Sequence, residues 1–104
     1  MDTLTRLEAT IVQRLKAPPE ESYVAKLNAK GLKTIAQKLG EEATEAIIAA
    51  LAGDEAELVG EAADVVFHLM VLLAEKGVAL EQVLAELDRR EGVSGLAEKA
   101  ARSE

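Results

Sequence analysis

Cysteine does not occur among the 104 residues. That excludes disulfides, thiolate metal sites and cysteine nucleophiles. Tryptophan is also absent, and tyrosine and phenylalanine occur once each. A surface that stacks successive bases of single-stranded nucleic acid needs several aromatic faces. Cations are the minority charge: 12 Lys and Arg against 19 Asp and Glu leave a net charge of −7. Such a chain repels nucleic acid and anionic lipid unless its cations cluster. The longest apolar run, Val65 to Ala74, contains His68 and is too short to span a bilayer. The opening Met-Asp-Thr-Leu-Thr-Arg lacks the basic stretch and apolar run of a secretory signal. We therefore expect a single cytoplasmic domain over residues 1–104, with neither nucleic acid nor membrane as a partner.

Hydrophobic residues make up 49% of the chain, enough for a modest core. Ala, Leu, Glu and Lys dominate and strand-like alternation is missing, which predicts an all-α fold. The breaks come at Pro18-Pro19, Gly31, Gly53 and Gly77. They divide the chain into helices over Asp2–Ala17, Tyr23 to about Lys30, about Leu32 to Ala52, Asp54-capped to Lys76, and Leu80–Glu91. The tail from Gly92 to Glu104 is expected to be partly helical. Gly40 falls inside the third helix, where it costs about 1 kcal/mol relative to Ala. It marks either a close approach of another group or simple tolerance.

The chemistry lies in two acidic segments, Gly40-Glu41-Glu42-Ala43-Thr44-Glu45 and Glu61-Ala62-Ala63-Asp64. Glu42 and Glu45 are three apart, as are Glu61 and Asp64, so each pair shares one helix face. The connection at Gly53-Asp54 is short enough to force the two helices antiparallel. Counted from Gly53, Glu45 and Glu61 are each eight residues away, and Glu42 and Asp64 eleven. The pairs should therefore lie level, Glu45 beside Glu61 and Glu42 beside Asp64, about 12–17 Å from the bend. Four close carboxylates repel one another without a cation, and hard oxygen donors suit Mg²⁺, with Mn²⁺ as a substitute. A merely solvated acidic face fits poorly, because these acids occupy the one polar stripe of an otherwise apolar fourth helix.

Between Ser22 and Gly40 the chain carries Lys26, Lys30, Lys33 and Lys38 and no acid. Cations beside a metal cluster suit a polyphosphate, whose remaining charge they neutralise. Lys33 is the first candidate for a simple surface lysine. His68, one turn past Asp64, either touches substrate or a neighbouring carboxylate, or is structural. Phe67 and Met70 lie opposite and read as core or interface. A fourth helix that needs cover on several sides suggests a homodimer that completes a four-helix bundle around the central antiparallel pair.

The pattern Glu-Glu-x-x-Glu, fifteen residues, then Glu-x-x-Asp resembles the MazG-like all-α NTP pyrophosphatases. The flanks narrow it. Ser22-Tyr23-Val24-Ala25-Lys26-Leu27, Lys30-Gly31, Lys38 to Glu45, Glu61 through His68 to Leu73, and Gly95-Leu96-x-Glu98-Lys99 are similar to the phosphoribosyl-ATP pyrophosphohydrolases of histidine biosynthesis. The resemblance runs from about Leu4 to Arg102 and implies a stand-alone form without a fused cyclohydrolase domain. It implies Mg²⁺-dependent hydrolysis of phosphoribosyl-ATP to phosphoribosyl-AMP and pyrophosphate in dimers or higher assemblies. Glu42, Glu45, Glu61 and Asp64 would hold the metal. Glu41 or Glu45 would act on the attacking water, and Lys26, Lys30, Lys38 and His68 would meet the substrate. The alternatives are a house-cleaning hydrolase of surplus or damaged nucleotides using the same acids, and a non-catalytic helical dimer.

Overall fold

The computed structural model describes residues 2–91. The tail from Gly92, with the Gly95 to Lys99 part of the resemblance, lies outside the described residues. Five helices follow in order: α1 (Thr3–Arg14), α2 (Tyr23–Lys30), α3 (Leu32–Ala52), α4 (Glu55–Glu75) and α5 (Leu80–Glu91). Among the described residues there is no strand, so the fold is all-α as the composition implies.

α1, α2, α4 and α5 each start on a side-chain acceptor, whereas α3 starts at Gly31 without one. Asp2 accepts the Thr5 N–H at 2.8 Å to begin α1, and Ser22 accepts the Ala25 N–H at 3.2 Å to begin α2. Such caps contribute about 1 kcal/mol each. α1 ends at Arg14, three residues before the expected Ala17. Pro18 pushes the residue before it out of helical geometry, and the Asn28 amide takes up the Leu15 carbonyl at 3.1 Å. A 3-10 turn over Pro19–Glu21, which the residue pattern did not suggest, then leads into α2. At the other end of the domain, Leu80 donates its N–H to Glu8 at 2.7 Å, so α1 caps α5 across 72 residues.

α3 and α4, 21 residues each, form the central antiparallel hairpin. Gly53 makes the bend in the left-handed region, with φ +79°, a conformation that costs other L-residues about 1–2 kcal/mol. Asp54 caps α4 by accepting the Glu57 N–H at 3.0 Å.

The core gathers Ile11, Val24, Leu27, Ile35, Met70, Val71 and Leu80, with Phe67 packed against it. It draws on the parts of α3 and α4 remote from the bend. Nearer the bend the hairpin leaves Ile47, Ile48, Leu51 and Val59 exposed, Leu51 by 84%, and farther along α4 it also exposes Val66 and Leu69.

Candidate active site

Glu42 and Glu45 project from adjacent turns of α3, and Glu61 reaches toward both from α4. One carboxylate oxygen from each lies within 4.8 Å of the other two. Glu61 is the innermost: its Oε2 is buried and has no hydrogen-bond partner. A buried acceptor without a partner is costly, and more so when charged. Accordingly the Glu61 carboxyl is pushed up to about 7, first by burial, then by the hydrogen bond that its protonated form makes to Glu42 and by the charge of Glu45.

Asp64 stands outside this trio, with an exposed side chain. Counting residues from the bend paired Glu42 with Asp64. The structure instead sets Glu61 against both α3 acids. Glu42 and Glu45 have the same three-residue spacing and both reach Glu61, so what leaves Asp64 out is the rotation of α4, which turns Glu61 and not Asp64 toward the pair.

The trio fits a divalent cation. Three hard oxygen donors converge, one buried oxygen lacks any counter-group, and no cationic side chain pairs with Glu45 or Glu61 among the described residues. Lys38 reaches only the rim, 4.0 Å from Glu42 and 3.5 Å from Glu41. Its ammonium is held above its ordinary value, chiefly by the Tyr23 oxygen and then by Glu41.

Glu41 faces away from the trio. Gln37 donates to it at 2.9 Å, and this bond, followed by the Lys38 charge, keeps its carboxyl below the usual range. An open groove of about 610 Å³ runs beside it, lined by Gln37, Gly40, Glu41, Thr44 and Glu45. Glu45 alone belongs to both this groove and the trio. Nothing lies within 4 Å of where a Gly40 Cβ would be, so the glycine marks open space and not a close contact. A smaller hollow, about 260 Å³, sits at the bend between Ala49 and Leu58 and includes none of the three acids.

His68 is buried, at 4% exposure. Its Nδ1 is 2.7 Å from the Asp64 carbonyl oxygen. That oxygen can only accept, so Nδ1 carries the proton. On the neutral ring Nε2 then accepts from the Tyr23 hydroxyl at 2.9 Å. The Tyr23 ring stacks on Phe67 at 6.2 Å, and His68 meets both rings edge-on. Both ring nitrogens are thus hydrogen-bonded within the protein, which fits the structural alternative for His68. Tyr23 was not among the expected site residues. Its signal was its place at the head of the lysine segment, three residues before Lys26. Lys26, Lys30 and Lys33 are exposed and make no ion pair among the described residues.

Known proteins are similar to this chain along its length. The profile of the family described as phosphoribosyl-ATP pyrophosphohydrolase matches residues 4–91. The phosphoribosyl-ATP pyrophosphatase of Erythrobacter litoralis (strain HTCC2594) is 66% identical over 104 residues, all of both chains. That of Novosphingobium aromaticivorans is 69% identical over 102 residues, 98% of this chain and 95% of its own. That of Rhodobacter capsulatus is 61% identical over 102 residues, 98% and 99% respectively. With the match covering both acidic segments and the lysines of α2 and α3, the chain belongs to the phosphoribosyl-ATP pyrophosphohydrolase family.

Proposed function

We propose that this protein hydrolyses the α–β phosphoanhydride of phosphoribosyl-ATP in the cytoplasm, giving phosphoribosyl-AMP and pyrophosphate for histidine biosynthesis. The observation that carries the reading is the buried, unpartnered Glu61 oxygen facing Glu42 and Glu45. Those three acids, with Asp64 swinging in from its exposed position on α4, would hold Mg²⁺ or, in its place, Mn²⁺. When bound, the ion polarises phosphate oxygens and lowers the pKa of water.

The side chains divide the remaining work. Glu45 lies where the groove meets the acids, so it takes the proton of the attacking water. The water oxygen bonds to one of the two bridged phosphorus atoms, the bridging P–O bond breaks, and pyrophosphate departs. Glu41 is a weaker proton acceptor, because Gln37 and Lys38 stabilise its ionised form. Its part is to orient water and Lys38 at the groove. Lys38, Lys26 and Lys30 neutralise the phosphate charge that builds as the bond breaks.

A second copy of the chain completes the domain. Ile47, Ile48, Leu51, Val59, Val66 and Leu69 form an exposed apolar stripe along both helices of the hairpin. Two such stripes facing one another make a four-helix bundle of the kind that buries about 800 Å² per partner.

The test is a pyrophosphate-release assay on phosphoribosyl-ATP beside the common NTPs and dUTP, with Mg²⁺ and with EDTA. Release from phosphoribosyl-ATP that EDTA stops is the expected result. Preference for a common nucleotide would favour a house-cleaning hydrolase, and release from none of them would leave a non-catalytic dimer.

A further inference from the structure

The groove beside the trio is lined by Gln37, Gly40, Glu41, Thr44 and Glu45, all on α3, and its volume of about 610 Å³ lies within the range of small-molecule sites. Its hydrogen-bonding groups are nearly all of one kind. Thr44 donates its hydroxyl proton to the Gly40 carbonyl at 3.0 Å, so toward the groove its oxygen offers only lone pairs. Gln37 donates one amide N–H to Glu41 at 2.9 Å. An ionised carboxylate can only accept, so the amide nitrogen is fixed on the Glu41 side, and the Gln37 carbonyl oxygen has no hydrogen-bond partner among the described residues. The carboxylates of Glu41 and Glu45 add further acceptors. The main-chain N–H groups of this stretch lie in the interior of α3 and are taken by the helix itself. One Gln37 N–H is therefore the single side-chain donor left on these walls.

Such walls select among ligands. They repel a phosphate, which brings more lone pairs and more negative charge, and they suit a group that brings several O–H donors. In phosphoribosyl-ATP the adenosine ribose is such a group, and it is joined directly to the α-phosphate. The groove likewise borders the carboxylate trio directly, through Glu45. None of the lysines lines it. We infer that this groove is the ribose subsite: Gln37 and Thr44 accept hydroxyl protons of the adenosine ribose and so set a preference for a ribonucleotide, while the phosphates stay with the trio and the lysines. The inference rests on the reading that the trio and the lysines hydrolyse phosphoribosyl-ATP.

The experiment measures kcat/KM for phosphoribosyl-ATP and for its analogues lacking the 2′- or the 3′-hydroxyl of the adenosine ribose, in wild type, Gln37→Met and Thr44→Val. Inhibition by pyrophosphate and melting temperature are measured on the same proteins. Both side chains are exposed, so both variants should melt within about 3 °C of wild type. In wild type at least one deoxy analogue should lose about tenfold in kcat/KM. Each variant should lose about fivefold or more on the full substrate, and its gap between substrate and that analogue should narrow. Pyrophosphate carries no sugar and should inhibit all three proteins alike. Equal kcat/KM for the three substrates in wild type overturns the inference and leaves the site reading intact. A loss in the variants that is equal on all three substrates does the same. Weaker pyrophosphate inhibition in the variants would put phosphate in the groove and overturns it as well. No turnover of phosphoribosyl-ATP by wild type overturns both readings.

Discussion

Glu45 on α3 and Glu61 on α4 face one another across the hairpin, each eight residues from Gly53, with carboxylate oxygens within 4.8 Å. Nothing in helix formation asks for this. Each acid would be better solvated on the outer face of its own helix, and their approach, with Glu42 as the third member, works against folding. The cation that the trio suits would turn that repulsion into attraction, and the first prediction follows from this.

Mg²⁺ should raise the melting temperature. A ligand that binds only the folded chain adds about 2.7 kcal/mol at a hundredfold excess over Kd, which is roughly 10 °C for a domain of this size. Differential scanning fluorimetry across a Mg²⁺ titration measures it. Glu61→Gln should remove most of the shift, and a wild-type melting point indifferent to Mg²⁺ would contradict the metal site.

Without metal, stability should fall as pH rises from about 4.5 to about 7. The Glu61 carboxyl is raised from 4.5 to about 7 in the folded chain, so across that window the native state binds more protons than the unfolded one. Stability then decreases with pH. Urea melts in EDTA at several pH values test the slope. Glu61→Gln should flatten its Glu61 part, and saturating Mg²⁺ should suppress it by favouring the charged form.

The two candidate bases should separate kinetically. Glu45→Gln should lower kcat by about 10²–10³, in the range of a lost general base. Glu41→Gln, remote from the trio, should cost about tenfold or less. Equal losses in the two variants would shift the proton-accepting role away from Glu45.

Gly40→Ala should uncouple stability from activity. The added methyl meets no atom within 4 Å, so the helix gains about 0.5–1 kcal/mol. The same methyl projects into the groove between Gln37 and Thr44, and KM should rise. Thermal melts and Michaelis–Menten kinetics on one preparation give both numbers.

Leu51→Glu should leave a monomer. Leu51 is 84% exposed in the single chain, so a charge there barely disturbs its fold. Analytical ultracentrifugation should show wild type sedimenting as a dimer or larger species and the variant at the monomer mass.

The helices were legible because their punctuation is strong. Ser22, Gly31, Gly53 and Asp54 each form the cap or bend their residue type favours. The level placement of Glu45 and Glu61 followed from counting along rigid rods. What counting could not supply was rotation, which leaves Asp64 outside the group of three. The His68 partnership lay equally beyond reach. It depends on how α2 crosses α4, bringing Tyr23 to a residue 45 positions away, and no local spacing encodes that crossing. α1 ended early because Asn28 captures a carbonyl from a different helix, again a tertiary contact.

The left-handed bend at Gly53 has a consequence for the length of the chain. One residue inserted in the first turn of α4 would slide every downstream position of that helix by about 1.5 Å and turn it by about 100° relative to the bend. Such an insertion would leave both helices intact but turn Met70 and Val71 from the core. Glu61 would rotate out of reach of its partners as well. The hairpin works like two meshed gears, and the single glycine sets the tooth at which they engage.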